Sequence, residues 1–255
     1  MYRLSPLAER RSHGRQVLAQ LSRLVKERFL EGRDADVESE QLFRDLTREK
    51  FPDDPISGEE LGVVDDTDTT GWIIDPLDGS TNHSRGIPIF AVSIAYRHQG
   101  KTQLGWISDP VRGEWIEAVA GKGTVSGGLH PVSPTRADIP MIHLTPRWRK
   151  KRPRWRNFLP SNIKQRTLGS IALEMAWVAT GRLDAAAWYR THDWDVAAGM
   201  LIIQESGGAG CHIMNGGKGE ILACSAHSLH LLQPLRDCLE DHGASVGIVN
   251  EGTSR

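Results

Sequence analysis

The chain opens on a helical pattern. Over residues 6 to 30, Leu7, Val17, Leu18, Leu21, Leu24, Val25 and Phe29 recur at helical spacing, with Arg, Gln and Lys between them. This periodicity predicts one amphipathic helix, and Gly32 supplies its stop. A second helix is predicted over 37 to 50, with Leu42, Phe43 and Leu46 on one face. Residues 52 to 58 read as a turn-rich link. Beyond them the pattern becomes that of strands. Trp72-Ile73-Ile74 is a short apolar run broken at once by Pro76 and Gly79, and 87 to 96 reads as a buried strand. A turn at Gly100 leads to strands at 104 to 108 and 114 to 119, separated by Asp109-Pro110 and Gly113.

After some short strands and a basic loop, a helix rich in Ala, Leu and Met is predicted over 168 to 180, ending at Gly181. A strand at 183 to 188, a helix at 195 to 205, a strand at 221 to 224 and a last helix at 228 to 239 complete the order. Helices and strands mix without strict alternation. That favours layered α+β architecture over a doubly wound parallel sheet. No internal repeat is visible.

Composition narrows the function classes. With 255 residues, 39% hydrophobic and 25% charged, the chain has ordinary globular balance and enough length for a sizeable core. The formal net charge of -1 argues against an overall electrostatic binder of nucleic acid. Cys211, Cys224 and Cys238 form no C-x-x-C pair, so neither a disulfide framework nor a structural zinc site is expected. Reduced thiols in the cytoplasm are the simplest reading. The charged start (Arg3, Glu9, Arg10, Arg11) gives no expectation of a signal peptide, and no run approaches the ~20 apolar residues of a membrane span.

The most informative string is Trp72-Ile-Ile-Asp-Pro-Leu-Asp-Gly-Ser-Thr-Asn82. A strand delivers Asp75, Pro76 turns the chain, and Asp78 follows within one turn. Two carboxylates so close repel unless a cation lies between them, and hard oxygen donors suit magnesium. Gly79 frees the backbone, and Ser80-Thr81 offers hydroxyls and amides to an anion. Asp-Pro and Asp-Gly are also routine turn dipeptides, but the whole string favours the metal reading. Alone, Glu59-Glu60 reads as a solvated pair, as do Asp65, Asp66 and Asp68. Asp195, in Asp193-Trp-Asp-Val-Ala-Ala-Gly199, would by itself be a helix cap, although a helix start there could also receive phosphate.

Taken together, Gly58-Glu59-Glu60, the string from 75 to 82, and Trp194-Asp195-Val-Ala-Ala-Gly199 with Glu205-Ser-Gly-Gly208 resemble the inositol monophosphatase family. The likeness extends to 86 to 94, to 113 to 123, to Gly169-Ser170-Ile-Ala172 and to 178 to 184. It implies an αβαβα sandwich, usually dimeric, that binds two or three magnesium ions between its halves, here about 1 to 135 and 136 to 255. Sensitivity to lithium is a further implication. By position, Glu59, Asp75, Asp78, Asp195 and the carbonyl of Leu77 match metal ligands. Ser80 matches the hydroxyl that, with a glutamate, positions the attacking water, so Glu59, Asp78 and Ser80 are the expected catalytic set. Gly79, Ser80 and Thr81 match the phosphate binders.

Three departures qualify the match. The family's lysine and V-T-x-x-D string is replaced by Gly32-Arg33-Asp-Ala-Asp-Val-Glu-Ser-Glu40. Arg33 and Glu40 stand nearest to the missing pair, and a Glu reaches about one methylene further than an Asp. Trp188 stands seven residues before Asp195, where many inositol phosphatases place a glutamate. Its indole donates only, so it would either stack on a substrate or fill the core. His83 follows the asparagine and reads as structural.

The run from Arg147 to Arg156 interleaves Trp with Arg and Lys. A solvated loop anchored by two Trp ranks first, contact with a multiply charged substrate second, nucleic acid third. The expected activity is magnesium-dependent hydrolysis of a small phosphomonoester, foremost inositol monophosphate. A 3'(2'),5'-bisphosphate nucleotide and fructose 1,6-bisphosphate are rival substrates. A silent family member binding nucleic acid is the alternative of another class.

Overall fold

The computed structural model describes residues 6–63, 70–128, 139–151, 154–215 and 218–240. Two helices, α1 (Pro6–Glu31) and α2 (Asp36–Lys50), cover the first sheet. That sheet contains β1 (Ile56–Gly58), β2 (Gly62–Val63), β3 (Gly71–Asp78), β4 (Ala91–His98), β5 (Lys101–Asp109), β6 (Glu114–Val119) and β7 (Thr124–Gly127), in the order β2-β1-β3-β4-β5-β6-β7. The short α3 (Ser80–Ser84) follows β3. The second sheet contains β8 (Met141–Leu144), β9 (Lys164–Gln165), β10 (Ala185–Thr191), β11 (Ala209–Asn215) and β12 (Lys218–Cys224), in the order β11-β12-β10-β8-β9. Between the sheets lie α5 (Ile171–Ala179) and α6 (Asp193–Glu205). Outside the second sheet lie α4 (Pro146–Lys151) and α7 (Leu232–Glu240).

The layering follows from strand alternation. In β3, Trp72 and Ile74 face α1 and α2, where Val17, Leu21, Val25 and Phe43 meet them; Ile73 faces the middle helices. A buried Ile or Phe here contributes about 1.5 to 3 kcal/mol. The middle helices have no wet face, so α5 is apolar nearly all round. Small residues bring them close. A Cβ at Gly105 of β5 would stand 3.0 Å from the Ala198 carbonyl oxygen, and one at Gly199 would collide with Met175. A third core outside the second sheet buries Trp148, Trp155, Leu235 and all three cysteines, which are free thiols.

Several boundaries differ from expectation. The strand expected at 87 to 96 starts only at Ala91. Ile87 is 41% exposed, and Pro88 has no N–H to pair. The helix expected from 168 starts at Ile171, because Gly169 is left-handed and the Ser170 side chain accepts from the Leu173 N–H as N-cap. The last helix is preceded by a 3-10 turn, Leu229–Leu231. Among the described residues no helix is long and apolar enough to cross a membrane.

One pairing positions the site. β1 runs parallel to β3, with Gly58 opposite Ile74. The residue after β1 and the carboxylates closing β3 therefore leave the sheet at the same end. That is where α6 begins.

Candidate metal centre

Glu59 is the first residue beyond β1, and its turn is clamped from beneath. Glu40 and Arg44 are both buried and form an ion pair at 2.6 Å. The Glu40 carboxylate also accepts the N–H groups of Glu60 at 2.8 Å and Leu61 at 3.3 Å. Gly58 is required there, since a Cβ would lie 2.3 Å from that carboxylate. This corrects the idea that Glu40 takes the place of the family's aspartate as a metal ligand: its oxygens are committed to Arg44 and the turn.

Asp75 is 1% exposed, and its Oδ1 accepts the Leu77 N–H at 3.0 Å. A bulge between Asp75 and Asp78 interrupts the pairing with β4 and redirects the chain. The Leu77 side chain anchors this bend in the first core. Asp195 is the third residue of α6, with its Oδ2 accepting the His192 N–H at 2.7 Å. Glu59, Asp75 and Asp195 each present an oxygen, all within 4.8 Å of one another. Three of the four expected carboxylates thus converge from three elements.

Asp78 sits beside this group rather than inside it. Its Oδ2 accepts the Ser170 hydroxyl and the Ala172 N–H, both at 2.6 Å, so the start of α5 holds it. The Leu168–Ser170 approach to α5 is itself fixed. Buried Glu174 accepts from the N–H of Leu168 at 2.7 Å, and the Asn82 amide donates to the Leu168 carbonyl at 2.8 Å. Gly169 and Ser170 therefore act as supports for Asp78.

Electrostatics mark the cluster. Burial, then Asp78, Glu59 and Asp195, push Asp75 well above the ordinary carboxylate range. Burial and Asp195 raise Glu59 to about 7. Asp78 rises only to about 6, because Ser170 and the α5 amide offset its burial. No Lys or Arg pairs with Glu59, Asp75 or Asp78 among the described residues. An all-oxygen donor set of mutually repelling acids fits a hard dication such as magnesium.

Gly79 precedes α3 with φ of 99°, and a Cβ there would meet carbonyl oxygens of Ile89 and Gly169 at 3.1 and 3.2 Å. The first amides of α3, at Ser80 and Thr81, have no acceptor within that helix. Both residues are exposed and line a cavity of about 400 Å³ with Arg33, Asp34 and Asp36. The Arg33 guanidinium reaches Glu31 at 3.1 Å. Asp36 is an acid the sequence reading missed. Burial, then Asp34, Glu60 and Glu59, lift it to about 8. The degenerate stretch from 32 to 40 was the available signal.

Of the two readings of Trp188, the structure bears out the core one and corrects substrate contact. The residue is 1% exposed and its Nε1 donates to Glu174 at 2.8 Å, so it fills the middle core and cannot stack on substrate. His83 packs against Phe29 and Phe90 beneath α3, as the structural reading expected. Asp65, Asp66 and Asp68 lie outside the described residues.

A five-layer sandwich with an acid cluster where its first sheet meets the middle helices defines a class of layered α+β proteins built around an oxygen-lined cation site. Within that class, the chain belongs to the inositol monophosphatase family, whose model matches residues 31–239. It is 34% identical over 221 residues to the Nus factor SuhB of Pasteurella multocida, covering 81% of this chain and 82% of that one. It is 37% identical over 188 residues to the inositol-1-monophosphatase of Caulobacter vibrioides, covering 68% and 72%. The crystal structure of inositol monophosphatase II from Staphylococcus aureus superposes with a TM-score of 0.77 at 27% identity, covering 91% of this chain and 95% of that one.

Proposed function

We propose that the protein is a magnesium-dependent phosphatase of small phosphomonoesters, foremost inositol monophosphate or a related sugar phosphate. One observation carries the reading: Glu59, Asp75 and Asp195 present oxygens within 4.8 Å of one another in partly buried surroundings. A fold that spends stability on such repulsion gains from it only when a cation is bound. Likeness to the Caulobacter vibrioides inositol-1-monophosphatase supports the reading.

Glu59, Asp75 and Asp195 would hold magnesium, with Asp78 and the Leu77 carbonyl completing the set for two or three ions. Bound there, magnesium supplies positive charge to phosphoryl oxygens and makes water more acidic. The chain's own residues do the rest. The Ser80 and Thr81 amides, with Gly79 letting the backbone approach, receive phosphate oxygens. Glu59 through its carboxylate and Ser80 through its hydroxyl would orient the attacking water. Trp188 plays no part in substrate contact; the cavity of about 400 Å³ beside Ser80 and Thr81, lined also by Arg33 and Asp36, offers space for the leaving group.

Phosphate release should be measured across inositol monophosphate, adenosine 3',5'-bisphosphate and fructose 1,6-bisphosphate, with and without magnesium. Magnesium-dependent release, fastest on inositol monophosphate and lost in Asp75→Asn, is the expected result. Release that ignores chelation overturns the metal assignment. A homodimer and a cytoplasmic setting complete the proposal, the first checked by light scattering.

A further inference from the structure

From residue 139 through 173 the sequence has no Asp or Glu, yet it carries nine of the chain's 31 Lys and Arg. Elsewhere arginines find acids: Arg10 with Asp54, Arg28 with Glu38, Arg97 with Asp193, Arg182 with Glu114. On the outer side of the second sheet six exposed cations do not, among the described residues. Arg147, Lys150, Lys151, Arg154, Arg156, Lys164 and Arg166 are exposed there. Arg147 and Arg156 lie over the rings of Tyr189 and Trp155, and Arg166 donates to the Gln165 carbonyl. Among the described residues no ion pair to an acid is formed by Arg147, Lys150, Lys151, Arg156, Lys164 or Arg166.

The surface is also firmly mounted. Trp148 of α4 is 0% exposed and Trp155 3% exposed, both in the third core with Leu159. The interleaved Trp residues are therefore anchors pointing inward, and the cations point outward from a fixed platform. This arrangement selects among polyanions. A protein partner would want an aromatic or aliphatic anchor in the patch, and a membrane would want an inserting apolar face. The patch offers little of either: Trp148, Trp155 and Leu159 are buried, and Phe158, Ile163 and Tyr189 are only partly exposed, packed against the third core. That limited ring area disfavours stacking on single-stranded bases. What remains is a regular line of phosphates met by charge alone, with guanidinium groups suited to paired oxygens.

We propose that this face docks a nucleic-acid duplex through its phosphate backbone, without reading bases. The role is separate from the acid cluster, which contributes no residue to it.

The test is fluorescence anisotropy of a labelled 20-base-pair duplex, about 20 being long enough to span the face, titrated between about 50 and 200 mM salt. Saturable binding with a dissociation constant on the order of 1 to 100 μM is expected, weakening steeply with salt. The triple variant Lys150→Gln, Lys151→Gln, Arg156→Gln is expected to flatten the log–log salt slope by about 2 to 3, while phosphate release stays at the wild-type level. A variant with the same charge change elsewhere, Arg23→Gln, Arg48→Gln, Lys101→Gln, is expected to keep the slope. Absence of saturation at low salt, or equal loss in both variants, overturns the proposal. Tighter binding of the single strand overturns it too, as does equal competition by polyglutamate or by anionic lipid vesicles.

Discussion

Glu117 and Asp75 are carboxylates of one sheet, each 1% exposed, and the protein treats them in opposite ways. Glu117 on β6 takes Arg11 at 2.6 Å, Arg15 at 3.0 Å and the Trp106 indole at 2.9 Å, and its acidity is strengthened despite burial. Asp75 on β3 has one backbone N–H and three acidic neighbours, and burial drives it upward. The same fold that satisfies one buried acid with two guanidinium groups leaves the other unsatisfied. The difference lies in the partners, not in depth, and it sets the second site apart as an acid cluster of the kind that fits a cation.

The largest expected effect comes from removing the unsatisfied acid. Asp75→Asn should lower phosphate release by on the order of 10³-fold or more. The metal-free variant should at the same time melt no lower than wild type, since a repulsion has gone. Calorimetry beside a phosphate assay reads both, and loss of stability with retained activity would erase the contrast. Next comes a satisfied pair. Arg44→Met leaves Glu40 buried without its cation and should cost about 3 kcal/mol in denaturant unfolding. Activity should fall with it, because Glu40 holds the turn that carries Glu59.

The contrast extends to pH. Glu59, at about 7, and Asp78, at about 6, bind protons more tightly in the folded chain than unfolded. Their contribution to metal-free stability is therefore full below about pH 4 and lost as pH rises through 6 to 7. Glu117, shifted downward, contributes the other way: its share is present above the ordinary glutamate range and lost on acidification. Metal-free melting temperatures should decline from pH 5 to pH 8, and stabilisation by added magnesium should grow over the same interval. A flat metal-free profile would break the comparison. The smallest effect belongs to Trp188→Phe, which removes one donor from Glu174 and should cost about 1 kcal/mol with substrate KM unchanged.

Of the acid cluster, the string from Asp75 to Asp78 was legible by itself, because a strand ending at Asp75 and a bend after it bring two carboxylates together. Glu59 and Asp195 read by themselves as a solvated pair and a helix cap, and the resemblance to the family singled them out. The layered class was legible from the mixing of helix and strand periods. What escaped depends on distant partners. The i,i+4 spacing of Glu40 and Arg44 is local, but nothing local says that the pair caps a turn twenty residues on, or that Trp188 points into the core beside Glu174. Asp36 lies just before the helix expected over 37 to 50 and carried no local signal of its own; only the fold sets it beside Glu59 and Glu60. β9, only two residues long, and β11 are edge strands that exist through their pairing with β8 and β12, which no local run of residues announces.

Asp78 comes from the first half of the sequence but is gripped by Ser170 and Ala172, and Asp195 closes the cluster from the far half. During synthesis on the ribosome, Glu59 and Asp75 emerge more than a hundred residues before Asp195. Under the proposed function, a nascent or truncated chain lacking α6 would be chemically silent, and hydrolytic competence would arise only once both halves have closed on each other.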